Sequence, residues 1–568
     1  MNHRLRAVAF AFIICLFLVV FKLYYWQVLK SDELSRSAKN QYSAAYAVGV
    51  SRGTIRSSDN FPLVTNKLVY TLAVDPTMLE DTRRIFSDVL PIVLADTPTL
   101  SRETLAEKWR NLLKLRDSRW IPLSNNLSSS TAEEVGKLAI SGLILRSGLN
   151  RDYPEASIAA SLVGIVAGDK DGNPKGYFGL EGYYNRELEG HPGLVNEEKD
   201  ARGQPILLGK FQKSDWERGR DLVLHIDRGA QFISQRSLAD GLERYGASEG
   251  SVIVMDPKNG AILAMVSLPT YDPNLYASTD SKLFLNGAVA KSFEPGSIFK
   301  PIMMAIALSE NVITPETLCD RCSGPWKVGE YWIRTWNEKY FPQETMTDVI
   351  IHSDNVGMTF VADKIGPKKM LHFFEKFGIG QATEIDLEDE DFIPIREENN
   401  WSPIDYAAAS FGQGIALTPI QMIRAIAVIA NKGIMVEPHI VSKIIGVENE
   451  KVIKPKILGR IISEDAARMT TEMMVLAVDR GEAKWTSLKG FRIAGKTGTA
   501  QIPVGGKYDQ KKINASFVGF IPAENPKFIM LVTLHNPQSS SWAAETAAPL
   551  WFSLANKLIT YWGVANFR

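Results

Sequence analysis

The sequence predicts a mixed α/β protein carried on one N-terminal membrane helix. Three observations lead there: an apolar run near the start, strand-like segments at both ends of residues 226–568, and runs with helical spacing between those strands. Strands drawn from early and late chain with helices between them build one layered domain around a shared sheet. A length of 568 residues exceeds a single core. The apolar anchor, a turn-rich stretch and the strand-and-helix pattern that follows it divide the chain into residues 1–28, 29–225 and 226–568.

Arg4 and Arg6 precede the apolar run Ala7–Phe21, and after Lys22 the apolar character resumes in LYYW. About twenty such residues cross ~30 Å of hydrocarbon. Arginines ahead of the span favour a cytoplasmic N-terminus and a bulk outside the cytoplasm. Tyr24, Tyr25 and Trp26 suit the outer interface, and Lys22 can snorkel toward headgroups. A cleaved signal peptide is the competing reading, but the run is long for one and no small-x-small site follows.

Residues 29–225 are mixed and turn-rich, with SRGTIRSSDNFPLVTN (51–66) and GDKDGNPKGYFGLEGYY (168–184) as their distinctive passages and no repeat period. A helical pattern over 230–245 follows. The apolar runs 251–256 and 261–268 flank Asn259-Gly260, a strong hairpin signal. Helical patterns cover 300–311 and 463–478, and FRIAGKTGTAQI, ASFVGFIP and KFIMLVTL read as late strands.

Lys+Arg and Asp+Glu both number 64, so no net field draws a polyanion, which argues against nucleic-acid partners. Cys15 lies in the apolar run. Cys319 and Cys322 are too few for a structural zinc site; in an oxidising compartment they can close a small disulfide loop, and a redox-active pair has no supporting βαβ context. The seven histidines form no H-E-x-x-H, and no metal or other cofactor is called for. His352, beside Ser353, reads as structural. The acidic run Glu384–Asp391 reads as a solvated turn rather than a cation site.

Three short motifs carry the chemistry. Ser297 and Lys300 stand three apart where Gly and Pro give way to a helical run, a spacing that puts amine and hydroxyl on one face, with the serine at the positive end of the dipole. Ser353-Asp354-Asn355 follows a second helical run. Lys496-Thr497-Gly498-Thr499 ends a strand-like run in which glycine admits close approach by a ligand. Each motif alone is weak; their joint occurrence in this order is not. Two decoys fall away. Gly490–Thr497 fits a P-loop, yet its variable residues are bulky and no helix follows Lys496. Gly246–Gly250 fits the esterase elbow, but with helix before and strand after, the reverse of what that elbow needs.

The ordered motifs are those of penicillin-binding proteins and serine β-lactamases. The chain resembles the class B penicillin-binding proteins, monofunctional peptidoglycan transpeptidases, and among them the cell-division type. The resemblance runs through the anchor, Arg52–Ile55, Arg151–Pro154, Gly179–Gly182 with Tyr184-Asn185, Glu294–Ser297, Asn355–Gly357, Phe411–Gly414, Thr418–Gln421, the Lys-Thr-Gly-Thr-Ala run and Ala548-Pro549. It departs where relatives often read Asp-Arg-Asn-Gly and this chain has Ser57-Ser-Asp-Asn60, and where Gly287 replaces an arginine after Asn286.

The resemblance implies a β-lactamase-like transpeptidase domain over 226–568 on an elongated α+β pedestal over 29–225. It implies stem peptides ending in D-Ala-D-Ala as donors, an amine acceptor, β-lactams as inhibitors, and a membrane glycan polymerase with other division proteins as partners. Ser297 would be the nucleophile, Lys300 its base, Ser353 a proton relay and Asn355 a substrate-amide ligand. Lys496 would supply positive charge, Thr497 and Thr499 would take the terminal carboxylate, Gly498 completes that substrate-binding strand, and the N–H groups of Ser297 and Thr499 would form the oxyanion hole. An elongation-type enzyme, a β-lactamase and a non-catalytic sensor are the alternatives. Against the β-lactamase, Glu384–Glu388 lacks the asparagine of a deacylating Glu-x-x-Leu-Asn.

Overall fold

The computed structural model describes residues 2–48, 50–97, 101–114, 118–155, 157–170, 173–191, 193–198, 211–213, 217–486, 488–504 and 507–565. Of the passage 168–184, Asp171 and Gly172 lie outside the described residues.

Helix α1 (Asn2–Tyr24) runs into a π-helical turn, Tyr25–Leu29. No residue in the most apolar window of the stretch His3–Leu29 is buried against the rest of the chain. At 1.5 Å per residue it is about 40 Å long, enough to cross hydrocarbon. Lys22 Nζ lies 5.9 and 5.8 Å from the ring centres of Tyr25 and Trp26, the aromatic end of the span.

In the following region strand Pro62–Val74 pairs antiparallel with Ile121–Leu127 and Leu143–Asp152. The departing residues 57–60 form the turn before it, where the Ser57 N–H donates to Phe61 O at 2.9 Å. The same sheet continues through Ile55–Arg56 to Asp221–Leu224 and on to Val441–Ile445 and Glu450–Val452. Residues from far down the chain thus complete a sheet begun before residue 225.

Two buried carboxylates brace this region. Glu181, fully buried, accepts from Arg52 Nε at 2.6 Å and Arg151 Nε at 2.7 Å. Removing one partner of a buried charge network leaves uncompensated charge, so Glu181→Ala should cost about 3–5 kcal/mol of stability in denaturant unfolding. Asp386 corrects the reading of the acidic run as a solvated turn. It is 7% exposed, accepts from Tyr184 Oη at 2.9 Å, and takes the N–H groups of Ile440 and Val441 at 2.6 and 2.9 Å. A carboxylate with three donors ties the 179–184 segment to the late strand, which spacing within 384–391 could not reveal.

The second sheet positions the site. Helix α2 (Arg228–Tyr245) begins where Asp227 accepts from the Ala230 N–H at 2.9 Å and ends on left-handed Gly246. Strands β1 (Glu249–Met255) and β2 (Ile262–Leu268) form the expected hairpin. There follow α3 (Lys300–Ser309), α4 (Met346–Ile351), α5 (Asn355–Ile365), α6 (Pro419–Ala430) and α7 (Glu464–Arg480). Strands β3 (Ala494–Val504), β4 (Lys507–Ile521) and β5 (Phe528–His535) and helix α8 (Ala547–Trp562) close the chain. The antiparallel order is β2-β1-β5-β4-β3, with β3 at an edge.

Period-2 alternation gives the sheet two buried faces. Ile253, Met255, Ile529 and Leu531 pack with α3, α6 and α7, while Val252, Val254, Met530 and Val532 pack with α2 and α8. Lys496 pairs with Val518 and Thr497 with Phe517. Val518 belongs to the α3 side and Phe517 to the α8 side, so the strand aims Lys496 toward α3.

Candidate active site

Ser297 lies on a 3-10 turn, Gly296–Phe299, that runs into α3. The expected helical run begins at Lys300, so the serine stands one 3-10 turn ahead of the α-helix and not in its first turn. The tighter turn has three residues per revolution, so Ser297 and Lys300 still fall on one side. Gly296, at φ +58, opens the turn, and its N–H donates to Gly412 O at 3.0 Å. The turn presses on β3: a Cβ at Gly498 would lie 2.8 Å from Ile298 Cγ2 and 3.0 Å from Pro295 O. Glycine at 498 therefore makes room for the serine turn, whereas the motif alone assigned that room to a ligand. Lys496–Thr499 also lies inside the strand, which continues to Val504, rather than at its end.

Lys300 is fully buried. Its Nζ lies 2.6 Å from Ser353 O, 2.8 Å from Asn355 Oδ1 and 3.3 Å from Ser353 Oγ. Burial, reinforced by Lys496, lowers its pKa from 10.5 to about 7; Asp354, Glu482 and Glu344 oppose the shift. Ser353 itself is 3% exposed and holds φ +57, a left-handed conformation that costs a serine ~1–3 kcal/mol and persists only where its surroundings enforce it. They do so here. Asp354 Oδ1 caps α5 through the N–H groups of Val356 and Gly357 at 2.6 and 3.3 Å. Asn355 Nδ2 donates to Arg334 O at 3.1 Å. A Cβ at Gly357 would lie 2.4 Å from Val349 Cγ2, so glycine there lets α5 close on α4.

Lys496 is 3% exposed, and burial lowers its pKa, with Glu482 opposing. Its Nζ donates to Thr497 Oγ1 at 3.1 Å, and Thr497 Oγ1 donates to Glu482 Oε2 at 3.0 Å. Thr499 Oγ1 accepts from the Ala543 N–H at 3.1 Å. Two threonines expected to face a substrate carboxylate are thus engaged by the protein itself. His352 Nδ1 pairs with Glu344 and its ring stacks on Phe341. Cys319 and Cys322 form a disulfide. A cavity of about 530 Å³, lined among others by Lys291, Glu294, Gln501 and His535, adjoins the approach to the serine turn and is lined by none of the residues of the three motifs.

Hydrogen bonds therefore join Lys300, Ser353 and Asn355, packing brings the Ser297 turn onto β3, and Lys496 stands close enough to disfavour charge on Lys300. Sequence reasoning missed Glu344 and Glu482, for which no local pattern exists.

A layered fold with these three motifs on helix, loop and edge strand defines a penicillin-recognising protein. The family described as Penicillin binding protein transpeptidase domain matches residues 250–557, and the Penicillin-binding Protein dimerisation domain matches residues 47–224. The chain belongs to this family: it is a class B penicillin-binding protein, a serine-type peptidoglycan D,D-transpeptidase. It is 28% identical over 555 residues to stage V sporulation protein D of Bacillus subtilis, covering 97% of this chain and 84% of that one. It is 28% identical over 528 residues to peptidoglycan D,D-transpeptidase FtsI of Escherichia coli K12, covering 92% and 86%. Penicillin binding protein 2X of Streptococcus thermophilus superposes with a TM-score of 0.74 at 23% identity, covering 91% of this chain and 80% of that one.

Proposed function

We propose that Ser297 is the nucleophile that attacks the penultimate D-alanine carbonyl of a stem peptide, expels the terminal D-alanine and holds the donor as an ester, which an amine from a neighbouring strand then resolves. The observation that carries this reading is the buried Lys300, whose pKa near 7 suits proton transfer. A neutral amine has two N–H groups and one lone pair. Ser353 O and Asn355 Oδ1 take the N–H groups, which leaves the lone pair for a hydroxyl proton. Ser353 Oγ, at 3.3 Å, is the relay toward the leaving amine, and Asn355 positions the substrate amide. Lys496 supplies positive charge. A substrate carboxylate reaches Thr497 by displacing Glu482, and Thr499 and Gly498 present the edge of β3 to the peptide, with the Ser297 and Thr499 N–H groups as oxyanion hole. Intact-mass analysis after incubation with penicillin, with the modified residue mapped, tests nucleophile and adduct lifetime together. Rapid turnover in place of a stable adduct would point to a β-lactamase.

Because Glu482 raises the proton affinity of Lys300, Glu482→Gln should move the acid limb of the acylation profile to lower pH, with a roughly two- to threefold faster rate below the limb. A limb that does not move would remove Glu482 from the electrostatics of the base.

We further propose residues 1–28 as anchor with a cytoplasmic N-terminus, 29–225 as pedestal and 226–568 as transpeptidase domain. Arg4 and Arg6 ahead of the apolar span support the orientation; protease accessibility in spheroplasts tests it. For the cellular role we propose septal wall synthesis with a membrane glycan polymerase, supported by the motif pattern and the likeness to FtsI. Equal identity to the sporulation protein favours spore-wall synthesis as second reading. Depletion should give filaments without septal label during growth; normal division with defective spores would select the second reading.

A further inference from the structure

Glu344 and Asp354 are a buried carboxyl pair beside the Ser353–Asn355 loop, 3% and 1% exposed. One oxygen of each lies within 4.8 Å of the other and of Cys322 Sγ. Cys322 is bonded to Cys319 and brings no thiolate to the group. Glu344 Oε2 and Asp354 Oδ2 are buried with no hydrogen-bond partner among the described residues. Their other oxygens are occupied: Asp354 Oδ1 by the Val356 and Gly357 N–H groups, Glu344 Oε1 by His352 Nδ1. Two orphan oxygens on neighbouring carboxyls are both satisfied by a single shared proton.

Asp354 Oδ1 accepts two backbone N–H groups at the first turn of α5 while Glu344 Oε1 has only the His352 ring nitrogen, so the shared proton is assigned to Glu344. Burial raises the proton affinity of Glu344 most, and Asp354 and then Asp348 add to it, while Lys300 opposes. The titratable groups facing it are Asp354 on the loop, Asp348 on α4, His352 at the end of that helix and Lys300 on α3.

We propose that Glu344 is a positioning residue for acylation: as a neutral acid it donates from Oε2 to Asp354 Oδ2, accepts from His352 Nδ1–H at Oε1, and so leaves one negative charge rather than two beside Lys300. The chain from His352 through Glu344 and Asp354 to the α5 N-terminus holds Ser353 in its left-handed conformation. Asp354 and Glu344 would each raise the proton affinity of Lys300 if ionised; the proton on Glu344 removes one of them and keeps the amine free near neutrality.

This rests on the reading of Lys300 as base, and the experiment separates the two. A glutamine reproduces a protonated glutamate, with one donor toward Asp354 and one acceptor toward His352. Glu344→Gln should be acylated by labelled penicillin within about twofold of the parent, with the acid limb unmoved, whereas Glu344→Leu, which orphans both partners, should be slowed roughly ten- to a hundredfold. The infrared difference between the parent and Glu344→Gln at neutral pH should contain the carbonyl band of a protonated carboxyl. An acid limb shifted to lower pH in Glu344→Gln, or absence of that band, overturns the proposal. Neither of these two readouts needs the leucine variant to fold. Should another side chain carry the penicillin, the mapped parent adduct reveals it, and the infrared band reports on Glu344 regardless.

Discussion

Ser297→Ala should abolish acylation by labelled penicillin, a loss of at least roughly a thousandfold, and leave the fold unchanged. The second half of that expectation is structural. Ser297 is half-buried, and its hydroxyl makes no hydrogen bond to the described residues, so its removal orphans no partner. The turn is held instead by the Gly296 N–H to Gly412 O bond and by contact with Gly498. Intact mass with peptide mapping and far-UV circular dichroism check the two halves. A variant that still gains the penicillin mass would move the nucleophile elsewhere.

Loss of the Lys300 amine has the second large effect. In Lys300→Met the acylation rate should fall by about 10²–10⁴, and the acid limb near pH 7 should vanish, because that limb reports the protonation of Lys300. A retained limb would assign the base to another group. Stability gives an independent check with a defined sign. Unfolded, Lys300 titrates near 10.5; folded, near 7. Between those values the unfolded chain binds more protons, so stability rises with pH across that window and the burden of burying the lysine is greatest at and below pH 7. The stability of Lys300→Met relative to the parent should therefore decline by a few kcal/mol from pH 7 toward 10.5. Using the slope rather than the absolute difference removes the constant cost of leaving Ser353 O and Asn355 Oδ1 without a donor.

The hairpin at Asn259-Gly260, helix α2 and the late strands were legible because each rests on local period and turn chemistry. So were the three motifs, whose residue types and order are local facts. The sheet that takes Asp221–Leu224 between Ile55–Arg56 and Val441–Ile445 was not, because pairing between segments so distant in the chain leaves no mark in a short window of sequence. The acidic run misled for the same reason. Asp386 reads as one more surface charge until Tyr184 and the Ile440 and Val441 N–H groups meet it. Gly498 stood out in the sequence for the approach of a ligand; that its missing side chain also accommodates Ile298 is known only from the packed core.

The amino-acid order alone determined the membrane span, the alternation that sends Lys496 to one face of its strand, and the identity of the serine, lysines and asparagine available for acyl transfer. These are properties of residue type and short-range geometry. Tertiary structure decided the protonation of that set. Burial and proximity to a second amine bring Lys300 to about 7, and contacts between segments hold Ser353 left-handed and place Glu344 against Asp354. Proton affinity depends on solvent exclusion and on charges a few ångströms away, and those distances exist only once the chain has folded.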